Sequence, residues 1–150
     1  MSDPRLVLIP TEPGWAPDDV TLRRAVRVLR ELAPEAGDVR GAVHDAVVFV
    51  DAGGDSGGID CPACGSELDP DWWADRMQRA ARQNFTRLAV TPPCCSTRTT
   101  LNDLVYSWPA GFARTEIVAR NPRRGRLTVQ ELSRVAGVLH HPVREISSSA

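Results

Sequence analysis

Cys61-Pro62-Ala63-Cys64-Gly65 is the stretch of this chain that decides how the fold is held together. Two cysteines separated by two residues can bind one metal ion. A glycine after the second can adopt the positive φ that turns backbone N–H groups toward the sulfur atoms. The only other cysteines are Cys94 and Cys95. Because four thiolates complete a structural zinc site, the sequence predicts zinc bound by Cys61, Cys64, Cys94 and Cys95.

The second cysteine pair requires a particular backbone shape. Adjacent residues in a strand point to opposite faces, so both thiols can reach one ion only where the chain turns sharply. Pro92-Pro93, directly before the pair, favours such a turn. A variant site would use three of the cysteines and His44 as the fourth ligand.

A redox dithiol is the alternative for the first pair. Cys61 and Cys64 have the spacing of a glutaredoxin-like dithiol, and Thr91-Pro92 would be the loop that faces it. Such a dithiol sits directly at a helix N-terminus, which lowers the thiol pKa. Here the next helix start, Asp69-Pro70, comes several residues later, which favours zinc over redox chemistry.

The composition is that of an ordinary globular protein, with 150 residues, 42% hydrophobic and 25% charged, which suits one domain. The longest apolar run, residues 46–50, is far shorter than the roughly 20 residues of a membrane-spanning helix. Residues 1–5 do not resemble the start of a secretory signal, so we expect a cytoplasmic protein without a membrane partner. The absence of lysine excludes Schiff-base chemistry and a Walker A lysine.

The charges divide unevenly along the chain. Residues 1–75 carry 15 acidic and 6 basic side chains, a net charge of −9. Residues 76–150 carry 4 acidic and 12 basic side chains, a net charge of +8. This asymmetry indicates either an anionic partner for the second half or charge pairing between the halves within one fold.

Apolar periodicity and turn residues predict three helices among several strands. The helices cover about residues 18–33, a segment from the N-cap Asp69 onward, and a segment opened by the capping box Thr128-Val129-Gln130-Glu131. Predicted strands are 5–10, 46–50, 87–91, 97–101, 104–108, 112–119 and 143–146. Residues 46–50, apolar on both faces, are the candidate central strand. Residues 97–101 and 104–108 would form a hairpin, and a second turn would follow at residues 109–111.

This order predicts one α+β domain over residues 1–150, with a largely antiparallel sheet, three helices and a zinc-knuckle staple at about residues 61–95. The glycine-rich segment 51–60 predicts a loop. It contains Gly54-Asp55-Ser56-Gly57-Gly58, which resembles the nucleophile motif of trypsin-like proteases. The resemblance ends there, because the chain is too short and too helical for two β-barrels. The spacing of the loop's aspartates matches no EF-hand.

Aromatic and arginine side chains supply the candidate binding surface. Trp72 lies on the arginine side of the second helix and is the aromatic expected to be exposed. The segment 101–114 is either a recognition surface or a set of core aromatics, and the arginines of 120–126 either contact a partner or form a solvated turn. The candidate partner-binding residues are Trp72, Arg76, Arg79, Trp108, Arg120, Arg123, Arg124 and Arg126.

The order CPACG, WW, TPPCC, LNDLVYSWPAGFA and ARNP resembles a family of small bacterial, chiefly actinobacterial, proteins with a CPxCG…PCC…LNDL…WPAGFA pattern. The similarity covers about residues 45–125. The family commonly has glycine after the vicinal cysteines, where this chain has Ser96. The resemblance implies the cysteine site and no particular activity.

These observations predict a non-catalytic, zinc-stapled protein that binds a macromolecule, with a protein partner favoured over nucleic acid. The alternatives are a thiol-disulfide redox protein that uses Cys61 and Cys64, and a nucleic-acid-binding module.

Overall fold

Three helices and eight strands form the described part of the chain, residues 4–51 and 57–147, in a computed structural model. The strands are β1 (Arg5–Pro10), β2 (Asp38–Asp51), β3 (Ile59–Asp60), β4 (Ala89–Val90), β5 (Thr99–Thr100), β6 (Val105–Tyr106), β7 (Ala110–Arg120) and β8 (Val143–Ser147). The helices are α1 (Asp19–Leu32), α2 (Pro70–Arg82) and α3 (Val129–Leu139). The predicted α+β class is confirmed. The protease-like Asp55 and Ser56 lie outside the described residues.

The main sheet has the strand order β2-β7-β1-β8, and every neighbouring pair is antiparallel. The connection β1-α1-β2 passes over β7, and the connection β7-α3-β8 passes over β1. The chain therefore forms two interlocked split β-α-β units. Helices α1 and α3 share one hydrophobic core with one face of this sheet.

Local sequence signals explain where the helices begin. Asp18 Oδ1 accepts a hydrogen bond from the Thr21 N–H at 2.8 Å, which caps α1. Asp69 caps α2 in the same way through the Asp71 N–H. The predicted capping box is present at α3, because Thr128 and Glu131 each accept from the other's backbone N–H.

The prediction that residues 46–50 form a central strand is wrong. They belong to β2, which lies at the end of the sheet, while β7 and β1 occupy its centre. Within this run only Val50 is buried. Phe49 turns toward the aromatic side chains of the segment inserted between β2 and β7. Val47 and Phe49 pack against the inserted segment, and Val48 and Val50 pack with side chains of the main sheet, so both faces of this edge strand are covered.

The predicted hairpin of 97–101 with 104–108 is also absent from the described residues. β5 pairs with β4, and β6 pairs with β3. The chain does turn at Asn102-Asp103, where the Asp103 N–H donates to the Thr100 carbonyl at 3.0 Å. The residues predicted as the next turn, Ala110 and Gly111, instead begin β7. Turn residues reverse the chain locally, but partners from elsewhere decide the pairing.

We call residues 59–108 the cysteine module, since they hold α2, the four short strands and all four cysteines. Its core contains a ring of aromatic contacts. Trp73 lies 6.1 Å from both Tyr106 and Trp108, measured between ring centroids, and Trp73 Nε1 donates to the Tyr106 hydroxyl at 3.2 Å. Trp108 therefore packs against the core while part of its ring stays exposed, which favours the core interpretation of segment 101–114.

Arg144 of β8 joins the module to the main sheet. Its guanidinium donates to Oδ1 of Asn102 in the module at 3.5 Å and to the carbonyl of Ala110 at the start of β7 at 2.8 Å. Gly111 makes room for it, because a Cβ there would collide with that guanidinium and would lie 2.8 Å from Ile9 Cδ1. None of the helices in the described ranges is long and apolar enough to cross a membrane.

Candidate metal centre

The Sγ atoms of Cys61, Cys64, Cys94 and Cys95 lie within 4.8 Å of one another. Cys61 and Cys95 are 3.7 Å apart, and Cys64 and Cys94 are 3.4 Å apart, measured between sulfurs. A zinc–sulfur bond of about 2.3 Å places the sulfurs of a tetrahedral site about 3.8 Å apart. Disulfide sulfurs would be separated by about 2.05 Å. The cluster therefore has the dimensions of a four-thiolate metal site.

The first half of the site is a tight turn directly after β3. The Gly65 N–H donates to the Cys61 carbonyl at 2.9 Å, and the Cys61 N–H donates to the Ser66 carbonyl at 2.9 Å. Gly65 has a φ of 77°, the positive value predicted for the residue after the second cysteine. This turn brings Cys61 and Cys64 to the same side of the chain.

The second half repeats this geometry between β4 and β5. The Ser96 N–H donates to the Pro92 carbonyl at 3.1 Å, across the same number of residues as the Gly65 bond. Ser96 has a φ of 56°, so a serine adopts the left-handed conformation that glycine adopts in the first turn. The sharp turn that the vicinal cysteines require is present. Cys94 and Cys95 both reach the cluster because of it.

The four thiols differ in exposure and in the pKa that their surroundings favour. Cys61 is buried, Cys95 is half-buried, and Cys64 and Cys94 are exposed. Hydrogen bonds from the Ser66 hydroxyl and N–H lower the pKa of Cys64 to about 6, and Thr97 lowers the pKa of Cys95 in the same way. Desolvation, followed by hydrogen bonds to the other thiols, raises the pKa of Cys94 to about 12. A cation would offset the repulsion among thiolates this close.

His44 does not take part in the cluster. It lies on β2, and its Nε2 is 2.5 Å from Oε2 of Glu116 on β7. The metal-ligand group of the described residues contains the four cysteines without a histidine. The prediction of a three-cysteine site with His44 as fourth ligand is therefore wrong, because the histidine is held by a carboxylate on the main sheet.

The surroundings of the first pair differ from those of a redox dithiol. Helix α2 begins at Pro70, with the Asp69 cap between it and the turn that ends at Gly65. The partial positive charge of its N-terminus therefore acts on the Asp69 carboxylate and not on a thiol. Cys61 is 1% exposed, which leaves Cys64 as the accessible sulfur of the pair.

The predicted binding residues of α2 lie on a partly covered face. Trp72 is half-buried against the module core, which corrects the expectation of an exposed ring. The Arg76 guanidinium lies over this ring, with Cζ 5.9 Å from its centroid. Arg79 Nε is 3.0 Å from Asp75 Oδ2 and remains largely exposed.

The structure adds Arg98, a residue that the sequence analysis missed. Arg98 and Arg76 line a cavity of about 400 Å³ beside β4. Arg76 Nε is buried without a hydrogen-bond partner, and Arg98 makes no ion pair or hydrogen bond among the described residues. Arg98 could have been recognised in the sequence from its position just after Cys94 and Cys95, since the turn that carries these cysteines fixes the direction of the chain that follows.

The arginines of 120–126 have different roles. Arg124 donates to both carboxylate oxygens of Glu131, at 2.6 and 2.8 Å, and to the Leu32 carbonyl at 2.7 Å. It therefore ties α1 to α3, and its guanidinium is occupied within the fold. Arg126 Nε lies 3.8 Å from Glu145 Oε2, and Arg123 and Arg120 are exposed.

Comparisons of the chain with models of known protein families, with curated proteins and with solved structures found no significant match in any of the three. The resemblance to the CPxCG…PCC family therefore stays a prediction.

Proposed function

We propose that this chain is a non-catalytic binding protein with a structural zinc ion and a macromolecular partner. The observation that supports the zinc site is the group of four Sγ atoms within 4.8 Å, carried by two turns of matching geometry. Four thiolates fill a tetrahedral coordination sphere and leave no position for a water molecule. Such an ion stabilises structure and does not activate a nucleophile.

The ion would connect elements that the chain alone joins weakly. Cys61 follows β3 directly, whereas Cys94 and Cys95 lie between β4 and β5. β3, β4 and β5 are each two residues long, so their backbone hydrogen bonds contribute little to stability. Zinc would hold these two strand pairs together and would thereby fix α2 and Arg98 in relation to each other.

The surface we assign to the partner consists of Trp72, Arg76, Arg79 and Arg98. The buried Arg76 Nε lacks a hydrogen-bond partner, and Arg98 makes no ion pair within the described part of the chain, so this surface suits carboxylates. A protein is favoured over nucleic acid because Trp72 is half-buried and none of the described residues that line the cavity is an aromatic on which bases would stack. Arg123, exposed after β7, is a second candidate contact.

Metal analysis tests the zinc site. Protein purified without added zinc is expected to contain one zinc per chain and to expose its thiols to a thiol reagent only after chelation. Cys61→Ser is expected to lose the metal and to destabilise the module. Metal-free protein in which Cys61 and Cys64 oxidise reversibly to a disulfide would overturn the zinc site and favour the redox alternative.

Partner capture with matched variants tests the binding surface. Proteins cross-linked to the wild-type chain in a cell extract would be quantified for Arg98→Ala and for Arg87→Ala, an exposed arginine outside the cavity. We expect Arg98→Ala to reduce recovery of the partner and Arg87→Ala to leave it unchanged. Equal loss in both variants would show that total charge, and not this surface, governs binding. The extract would also be treated with nuclease before cross-linking. Loss of the captured protein after this treatment would show that nucleic acid mediates the binding.

A further inference from the structure

Four arginines line a cleft of about 400 Å³ between α1 and the edge strand β2. Arg23, Arg27 and Arg30 follow one another at helical spacings of four and three residues, so they form a row on one face of α1. Arg40 lies across from them on β2. This row belongs to the acidic half of the chain, where the distribution of charge along the sequence gives no sign of a basic site.

Within residues 4–51 and 57–147, one of these four charges is balanced by a carboxylate. Arg40 Nε pairs with Asp38 Oδ2 at 2.6 Å. Arg23 and Arg30 donate to backbone carbonyls, and Arg27 makes no ion pair or hydrogen bond among the described residues. Guanidinium groups that line one cleft repel one another, and an anion in the cleft would relieve that repulsion.

The floor of the cleft is apolar and closely packed. A Cβ at Gly41 would lie 2.8 Å from Val26 Cγ2 and 2.9 Å from Leu22 Cδ1, so the absence of a side chain lets α1 approach β2. Leu22 and Val26 also line the cleft. The site therefore combines a charged rim with a surface that accepts aliphatic carbon.

The neighbouring edge of β2 is available to another strand. β2 ends the sheet, and no strand of residues 4–51 or 57–147 pairs with its outer edge. Residues 38–43 keep an unbroken register with β7, before the irregularity between Val43 and Val48. Arg30 donates to the Val39 carbonyl at 3.3 Å, and an added strand would replace this long bond with one of its own. A sheet edge without a paired strand can accept one.

We propose that the α1–β2 cleft binds an extended acidic segment of another protein, which adds to residues 38–43 as a further strand. Alternate side chains of a strand are about 6.7 Å apart, and Arg23 and Arg27 are separated by about 6 Å along the helix axis, so acidic groups at alternate positions can meet both. Among the residues that the structure describes, those lining the cleft include no aromatic side chain for base stacking, which favours a peptide over single-stranded nucleic acid.

This inference goes beyond the proposed function and concerns a different surface. The cleft is built by α1 and β2, outside the cysteine module, so it does not require the zinc ion. If the purified chain contains no zinc but binds an acidic peptide, the zinc proposal fails and this inference stands. If the chain contains zinc but does not bind the peptide, this inference fails and the zinc proposal stands.

Fluorescence anisotropy with labelled ten-residue peptides tests the proposal on the full chain. The probe alternates glutamate and valine. Its controls alternate glutamine and valine, or keep the glutamates but carry N-methyl groups on alternate backbone nitrogens. We expect the acidic peptide to bind at least tenfold more tightly than either control. Hydrogen exchange at residues 38–43 should slow when it binds. No binding of the acidic peptide, or equal binding of the N-methylated one, would overturn the proposal.

Variants of α1 provide the matched comparison. Arg23→Ala with Arg27→Ala removes two charges from the cleft, whereas Arg24→Ala removes an exposed arginine of the same helix that does not line it. We expect the double variant to weaken peptide binding at least tenfold and Arg24→Ala to change it less than twofold. Far-ultraviolet circular dichroism would verify folding. Equal weakening by Arg24→Ala, or tighter binding of a twelve-nucleotide single strand than of the peptide, would refute strand addition.

Discussion

The two turns that carry the cysteines offer a pair of opposite substitutions at one site. Gly65 has a φ of 77° and Ser96 a φ of 56°, a region that costs a residue with a Cβ about 1–2 kcal/mol. A Cβ at Gly65 would meet nothing within 4 Å, so Gly65→Ala introduces this backbone cost without a steric clash. Ser96→Gly removes the same cost from the second turn. The pair therefore isolates the contribution of backbone conformation to metal binding.

The expected change in zinc affinity is the backbone cost less an entropy difference. Glycine loses more conformational entropy on folding than alanine or serine, and this offsets about 0.4–1 kcal/mol of the backbone cost in both substitutions. The net effect is about 1 kcal/mol per substitution. Because formation of the turns is coupled to binding, this corresponds to about fivefold weaker zinc binding for Gly65→Ala and about fivefold tighter binding for Ser96→Gly. The two variants should then differ by about thirtyfold.

Competition with a chromophoric chelator of known zinc affinity measures this difference. Gly125→Ala is the control, since Gly125 has equally free space around its Cβ position but no positive φ. Its zinc affinity should equal that of the wild type. The reasoning fails if Gly65→Ala binds zinc within twofold of the wild type and Ser96→Gly gives no gain. In that case the turns would form independently of the metal.

Three further substitutions test other parts of the structure. His44→Ala should retain one zinc per chain by metal analysis, because His44 contacts Glu116 and not the cysteines; loss of the metal would restore histidine as a ligand. Thr128→Ala removes the capping box of α3 and should lower the free energy of unfolding by about 1 kcal/mol in urea, without a change in slope. The Arg124 guanidinium lowers the pKa of Glu131 to about 2, below its ordinary value of 4.5, so the folded state favours the ionised carboxylate. This contribution to stability is present above about pH 4.5 and is lost as pH falls toward 2. The wild type should therefore lose more of its stability than Glu131→Gln over that interval in acid titrations, and parallel curves for the two chains would contradict the assignment.

The features that sequence predicted correctly have causes within a few residues. The Asp69 and Thr128 caps depend on side chains that bond backbone groups two or three positions away. The first cysteine turn likewise depends on one glycine at a fixed position. The strand β1 was predicted with its observed bounds, because its apolar run is bordered by turn residues. Such features can be recognised without knowing the rest of the fold.

The features that sequence missed depend on residues far along the chain. The apolar run of 46–50 gave no means of distinguishing a buried central strand from an edge strand covered by an inserted module. Two β-prone segments on either side of Asn102-Asp103 led to the prediction of a hairpin. Their actual partners, β3 and β4, are two residues long, which is too short to be recognised as strands in the sequence. The strand order β2-β7-β1-β8 joins segments from both ends of the chain, and local propensity carries no information about it.

Individual surface residues were misjudged for a related reason. Helical periodicity correctly placed Trp72 and Arg76 on one face of α2, but it could not show that the module core covers part of that face. Arg124 belongs to a basic cluster in the sequence, yet in the fold its guanidinium spans Glu131 and the Leu32 carbonyl. Conversely, the four arginines of the α1–β2 cleft are spread through an acidic half, and only the fold brings Arg40 to the helix.

The position of the cysteine module explains why a metal centre occurs where it does. The split β-α-β units have their own core between the sheet and the helices α1 and α3, whereas the module is a separate segment between β2 and β7 with a second, smaller core. A segment of this size rarely gains more than about 3–5 kcal/mol from hydrophobic packing alone. Its four strands are each two residues long, so their backbone hydrogen bonds add little to the stability of the module. Zinc bound by both turns would add stability, and its ligands extend from the module core, at Cys61, to the exposed rim, at Cys64 and Cys94.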